Sequence, residues 1–272
     1  MVESSELAAL RAAVRDGGPL LVAFSGGVDS ALVAVVAVQE LGAAAVAVTA
    51  VSASLPRAER SAARAFARAH GIRHVEVCTD ELDRPGYVAN GGDRCVHCKD
   101  ALLDALVPLA ELAGARIALG TNADDLREHR PGQRAAEARG ALAPLVAAGL
   151  GKAAVRAVSA ELGLATAEKP AAACLSSRVA YGDPVTAEVL ARIEAAEAAV
   201  HALGFPVCRV RVHAGGTLAR LELPAERLDE AVSSRRADLD EAVRGAGFAF
   251  CALDLRGFAS GRMNVLLGMP AP

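Results

Sequence analysis

Residues 19–24, Pro-Leu-Leu-Val-Ala-Phe, form an apolar run that ends abruptly in Ser25-Gly26-Gly27. Comparable runs fall at 44–51, 73–78 and 116–120. Between them, residues 28–41, 56–70 and 96–113 carry apolar positions at helical spacing, and a further helix is predicted over 152–162. Continuously apolar strands alternating with helices predict a parallel sheet covered on both faces, a doubly wound α/β domain.

The pattern changes after Pro170. Tyr181-Gly-Asp-Pro184 is turn chemistry, and Thr186 is placed to cap a helix running to about Leu203. Val207-Cys-Arg-Val-Arg-Val-His213 alternates as a half-exposed strand does. Gly215-Gly216 turns the chain into a second strand, 217–223, followed by helical segments at 225–233 and 236–245 and a last strand at 248–255. These runs predict a second, smaller α+β domain. The expected division is 1–180 and 181–272.

The chain has 272 residues, 53% hydrophobic and 22% charged, which suits a packed core rather than disorder. Aromatics are 3% and Trp is absent, so the core is built from Ala, Val and Leu. A net charge of −3 gives no electrostatic basis for binding nucleic acid or an anionic membrane. The acidic start, Met1-Val-Glu-Ser-Ser-Glu, lacks the build of a signal peptide, and apolar stretches such as 31–38 are too short to span a bilayer. A cytoplasmic protein is expected. Its six cysteines are then not expected to pair. Cys78, Cys208 and Cys251 lie in apolar strand-like runs and are expected to be buried; Cys95, Cys98 and Cys174 have polar or Gly-rich surroundings.

Ser25-Gly-Gly-Val-Asp-Ser30 occupies the junction of the first strand and the first long helix. Two glycines let the backbone bend and a ligand approach closely. The helix start offers unpaired N–H groups and a partial positive charge, which suit phosphate. Ser25 and Ser30 add hydroxyls, and Asp29 fits beside phosphate when a divalent cation lies between them. Neither a G-x-x-x-x-G-K-[ST] loop nor a G-x-G-x-x-G turn is present here. The plain alternative is an ordinary strand–helix turn.

The loop resembles the pyrophosphate loop (PP-loop) of the N-type ATP pyrophosphatases. These enzymes split ATP between its α and β phosphates and form adenylated intermediates. The resemblance implies an adenine nucleotide alpha hydrolase-like fold, with ATP held by Ala23, Ser25, Gly26, Gly27, Asp29, Ser30 and Thr49, and Mg²⁺ beside Asp29. Gly120-Thr-Asn-Ala-Asp-Asp125 follows another strand, where open α/β sheets hold ligands, so Gly120 and Asp125 join the ATP candidates. Asp124 or Asp125 reads equally as a solvated acidic cap.

Asp93-Arg-Cys95-Val-His-Cys98-Lys99 opens a helix, a position that favours thiolate. Alone this C-x-x-C is a zinc half-site, a redox pair or chance. Together with SGGVDSAL, GTNADD with RPG at 130–132, Lys169-Pro-Ala-Ala-Ala-Cys174-Leu-Ser-Ser-Arg178 and YGDPVT, the chain resembles the LarE family over nearly its whole length, through Asn264. That family comprises ATP-dependent sulfur-inserting enzymes of nickel-pincer nucleotide synthesis, in lactate racemase maturation.

The resemblance implies that one carboxylate of a pyridinium dicarboxylate mononucleotide is adenylated and then replaced by a thiocarboxylate. One family variant uses a sacrificial cysteine, matching Cys174. The other holds a [4Fe-4S] cluster on three cysteines, matching Cys95, Cys98 and Cys174, and draws on a sulfide donor. Three thiolates leave one iron of a cubane open, whereas structural zinc prefers four protein ligands, so the cluster variant is favoured. Arg209 and Arg211 share a strand face with His213 and suit phosphate. Ser177, Arg178 and Glu197 are further substrate candidates. Relatives carry Arg where Ala259 stands; here Arg262 is the nearby candidate. The resemblance also implies a homo-oligomer, a hexamer built from trimers. A tRNA-thiolating relative is the main alternative enzyme, disfavoured by low basic charge and few aromatics. A nucleotide sensor without turnover is the third reading.

Overall fold

The structure, a computed structural model, describes residues 3–127, 136–259 and 261–268. Arg130, Pro131 and Gly132 of the RPG motif, and Ser260, lie outside the described residues. By their contacts the residues form two compact units: Met1–Asp80 with Cys95–Ala172, and Glu81–Arg94 with Ala173–Pro272.

In the first unit, Ser4 accepts a hydrogen bond from the Leu7 amide and so caps α1, Ser5–Gly17. Leu7, Leu10 and Val14 of α1 recur at helical spacing and are buried. Four short strands follow at β1 (Leu20–Ala23), β2 (Ala45–Val51), β3 (His74–Cys78) and β4 (Arg116–Ala118). They lie in the order β3-β2-β1-β4 and all pair in parallel. Alternate side chains of β1 enter different cores. Leu20 and Val22 pack with α1 and with α2, Val28–Leu41; Leu21 packs with Leu103, Leu106 and Ile117. The doubly wound α/β class expected from the sequence is therefore present. Each fully buried Leu or Val adds roughly 1.5–3 kcal/mol relative to exposure.

The strand order reverses between β1 and β4, because the chain winds one way from β1 to β3 and returns to the other side for β4. Open parallel sheets hold ligands beyond the carboxyl ends of their strands at such a point. Ser25–Ser30 leaves β1 there and Gly120 leaves β4 there.

In the second unit, β5 (Arg209–His213) pairs antiparallel with β6 (Leu218–Glu222), and β6 pairs parallel with β7 (Phe250–Leu253). Among the helices of this unit, Ala187–Ala202 is the longest. Thr186 caps it by accepting from the Val189 amide, and Val189, Leu190, Ile193, Ala196 and Val200 line its buried face. Residues 81–94 belong to this unit, although the α/β alternation around them gives no sign of it. Asn90, with φ of 55°, donates to the carbonyls of Ala180 (2.8 Å) and Asp183 (2.9 Å). The Val185 amide donates to the Val88 carbonyl.

Three expectations change, at Cys78, at β5 and at Cys251. Cys78 is exposed rather than buried, because β3 is an edge strand with one poorly covered face. Strand β5 is not half-exposed: Arg211 is buried, and its guanidinium meets the fully buried Glu222 carboxylate at 3.0 Å. Cys208 is buried as expected, and burial pushes its thiol up to about 12. Cys251 is partly buried, its thiol pushed up to about 11 by the same cause.

Candidate functional site

The Ser25–Ser30 loop is tied internally by its two serines. Ser30 Oγ lies 3.1 Å from Ser25 Oγ, accepts from the Ser25 amide at 3.2 Å, and donates to the Gly27 carbonyl at 3.2 Å. Gly26 has φ of 73°, and a Cβ there would stand 3.1 Å from Ala63 Cβ. Gly27 caps α2 with no side-chain hydrogen bond, so the first-turn amides of that helix keep their capacity for an anion. Across the strand reversal, Gly120 approaches the same helix start: a Cβ on Gly120 would stand 2.8 Å from the Ser30 amide nitrogen. That contact explains the need for glycine at the end of β4.

Asp29 accepts from Asn122 Nδ2 at 3.1 Å and from the Lys152 ammonium. Asp124 Oδ2 accepts from the Lys152 amide at 2.7 Å, which anchors the helix Lys152–Glu161 beside the loop. Asp125 Oδ2 accepts from the Asn122 amide at 3.1 Å, so both acids shape the turn that carries Asn122. Lys169 donates to the Gly26 carbonyl at 2.9 Å and to Glu59 at 2.7 Å. The side chains of Lys152, Lys169, Asn122 and Glu59 at the loop were missed by motif reading. A signal existed: the chain has three lysines among 29 basic residues, and two of them come to this loop.

Ala23 ends β1 half-buried, next to Phe24, whose amide bonds the Val48 carbonyl at 2.8 Å. Thr49 is buried. Its hydroxyl donates to the Phe24 carbonyl at 2.6 Å and lies 2.7 Å from His74 Nε2. The Thr49 side chain therefore ties β1 to β2 and β3, and any adenosine contact at this residue falls to its backbone. Burial lowers the His74 pKa.

The second unit gathers a separate set of charges. Arg178 and Glu197 are buried and form a two-pronged ion pair at 3.0 and 3.1 Å. Glu197 also accepts from the Val210 amide, between Arg209 and Arg211. Arg211 donates to the Ser177 carbonyl at 3.0 Å. Arg209 lies over the Phe258 ring at 5.1 Å and donates to the Cys208 carbonyl, with no carboxylate hydrogen-bonded to it among the described residues. Its pKa is lowered, first by burial and then by the neighbouring Arg178 charge, with the Glu197 carboxylate opposing the shift. Arg262 pairs with Asp254 at 3.3 Å and donates to backbone carbonyls. His213 meets Arg220 at 3.2 Å.

No disulfide joins any of the six cysteines, all of which are described residues. Cys95 and Cys174 are exposed and Cys98 is half-buried. Cys95 and Cys98 stand three positions apart on the helix Arg94–Ala113, hence on one face. Cys95 and Cys98 belong to the first unit and Cys174 to the second. Among the described residues, no group of three or more His, Cys, Asp or Glu is gathered to hold a metal ion. No helix of the described residues is long and apolar enough to cross a membrane.

A parallel sheet with a serine- and glycine-rich loop at its strand reversal suits the PP-loop class of adenine-nucleotide enzymes. In agreement, residues 6–86 match the family model described as asparagine synthase. The chain is 36% identical over 264 residues to pyridinium-3,5-bisthiocarboxylic acid mononucleotide synthase of Lactiplantibacillus plantarum, covering 96% of this chain and 94% of that protein. It is 45% identical over 249 residues to the uncharacterized protein slr1717 of Synechocystis sp., covering 91% and 92%. The chain belongs to the LarE family, a family of ATP-dependent sulfur transferases within the PP-loop superfamily.

Proposed function

We propose that the protein adenylates a carboxylate of a pyridinium dicarboxylate mononucleotide and replaces it with a thiocarboxylate. The observation that carries this reading is the near full-length match to a relative named for forming such a product. The chemistry requires activation: carboxylate is a poor electrophile, and attack of its oxygen on the ATP α-phosphorus expels pyrophosphate and leaves an acyl adenylate. A sulfur nucleophile then attacks the acyl carbon and expels AMP. The first-turn amides of α2 and the hydroxyls of Ser25 and Ser30 bind the departing pyrophosphate, and Gly26 and Gly27 admit it closely. Asp29 would hold Mg²⁺, which when bound would neutralise phosphate charge, and the Lys152 ammonium that now meets Asp29 adds a second cation beside the loop. Ala23, Thr49, Gly120 and Asp125 frame the ATP side, the last by holding the Asn122 turn. Arg209 takes the mononucleotide's phosphate or free carboxylate, and Arg211 lines the same strand.

In this proposal Cys95, Cys98 and Cys174 hold a [4Fe-4S] cluster, which when bound supplies a sulfide on the iron that has no cysteine. What supports the reading is the chemistry of the residues: three thiols outside the buried core, two of them on one helical face, in contrast to the buried Cys208. A separate sulfide donor resupplies sulfur. The protein works in the cytoplasm as a homo-oligomer, with its ATP part within 1–180 and its substrate part in the unit that carries 181–272. A sacrificial Cys174 is the second reading, favoured by its exposure.

Anaerobic purification followed by iron and sulfide counts tests the sulfur source. Equal loss of iron in Cys95→Ala, Cys98→Ala and Cys174→Ala supports shared ligation. An iron-free wild type that turns over once and loses the Cys174 sulfur supports the sacrificial reading.

A further inference from the structure

Residues 169–174 have no regular structure, and 171–174 are exposed. Nothing within this stretch fixes Cys174. Directly after it, the tight turn Leu175–Arg178 is largely buried. Three donors from this turn converge on one atom, the Cys174 carbonyl oxygen: the Ser177 amide (3.0 Å), Ser177 Oγ (2.7 Å) and Arg178 Nη1 (3.0 Å). Arg178 Nη1 also donates to the Ala173 carbonyl at 2.7 Å. The remaining guanidinium nitrogens, Nε and Nη2, engage both oxygens of Glu197. Glu197 in turn grips the Val210 amide of β5. Arg178 is 3% exposed, while Cys174 stands in the open.

A guanidinium whose charge is matched by a buried carboxylate and whose three nitrogens are all engaged has little left for a substrate anion. We infer that Arg178 is a positioning residue: backed by Glu197, it clamps the backbone at Ala173 and Cys174 and fixes the direction in which the Cys174 thiol is presented. Arg178 and Glu197 then act through Cys174, and direct recognition of the mononucleotide is left to Arg209. Glu197 couples the clamp to recognition, since the same carboxylate sets the strand between Arg209 and Arg211. The inference rests on the reading of Cys174 as the thiol that holds or supplies sulfur.

The test compares the wild type with Arg178→Lys and the milder Ser177→Ala, all purified anaerobically as full-length protein. Three quantities are measured: amide hydrogen exchange across 173–179, pyrophosphate exchange driven by the mononucleotide, and thiocarboxylate formation. Lysine keeps the charge but has no fork. Arg178→Lys is expected to speed amide exchange in 173–179 by at least ~10-fold and cut kcat for thiocarboxylate formation by a similar factor, while KM for the mononucleotide in pyrophosphate exchange moves less than about 2-fold. Ser177→Ala shifts the first two in the same direction by less.

A rise in that KM of about 10-fold with unchanged amide exchange would make Arg178 a substrate ligand and overturn the inference. If Arg178→Lys loses its cooperative unfolding transition, Ser177→Ala decides: unchanged amide exchange and unchanged kcat there also overturn it. A wild type without any pyrophosphate exchange refutes the proposed function instead, while amide exchange at Ser177 still reports on the clamp.

Discussion

A single hydrogen atom in place of a methyl group at Gly120 keeps the end of β4 against the start of α2. The Ser30 backbone is the obstacle, so a new Cβ there cannot be accommodated by a side-chain swing. Gly120→Ala is expected to cost about 1–3 kcal/mol of stability, as overpacking does, measured by urea unfolding. Displacing Ser30 also disturbs the hydroxyl pair with Ser25, so ATP cleavage falls with it. Unchanged stability and unchanged ATP use would contradict the account of this contact. The glycines and serines of the loop were legible in the sequence because their chemistry is local. Lys152 and Lys169 were not, since they reach the loop from 123 and 143 positions away. Only the rarity of lysine in an arginine-rich chain hinted at them.

At the scale of elements, hydrophobic period located the strands and the longer helices except the first, Ser5–Gly17, and it passed over the short helices Pro85–Val88 and Pro144–Ala147. The helix 28–41 and the helix 236–245 have the bounds expected from the pattern. The period does not reveal which strands lie at a sheet edge, and this is why Cys78 looked buried. Nor does it reveal polar ties between strands, such as the chain Phe24 carbonyl, Thr49 hydroxyl, His74 ring. His74 also meets Phe24 edge-on at 5.6 Å. Its folded-state pKa is depressed below 6.5, mainly by burial, so protons bind the unfolded chain first. The stability contributed by neutral His74 is complete above the unfolded value and is lost as pH falls through the lowered folded value. His213, also depressed by burial, adds the same sign. Thermal midpoints are expected to drop between pH 7 and pH 5, and less steeply in His74→Gln. A midpoint that rises on acidification across this window would contradict the assignment.

On the scale of the whole molecule, the sequence indicates an α/β part followed by a smaller α+β part, and it conceals how residues 81–94 are used. Their local pattern is a short loop and helix, while their partners lie about ninety positions downstream. Asn90 is fully buried and serves three carbonyls; Arg94 serves Asn90 and the Ser176 carbonyl. Such long-range polar satisfaction leaves no periodic trace. Asn90→Ala is expected to destabilise the chain by roughly 2 kcal/mol or more, because buried carbonyls lose their donor. A separate fragment of residues 181–272 also lacks Arg178, which leaves the Glu197 carboxylate buried without its partner. That fragment is expected to show no cooperative thermal transition, whereas the full chain does. A sharp transition in the isolated fragment would mean that residues 81–94 and 173–180 are dispensable to its fold.

In the proposed function the chain spends ATP to activate a carboxylate for sulfur transfer. Exchange of labelled pyrophosphate into ATP, with Mg²⁺ and a pyridinium dicarboxylate mononucleotide and without added RNA, tests it most directly. Exchange is expected to depend on the mononucleotide, to fall on the order of 100-fold in Asp29→Asn, and to persist in Cys174→Ala, because the thiol acts after adenylation. Exchange that requires RNA, or none at all with the mononucleotide present, would contradict it.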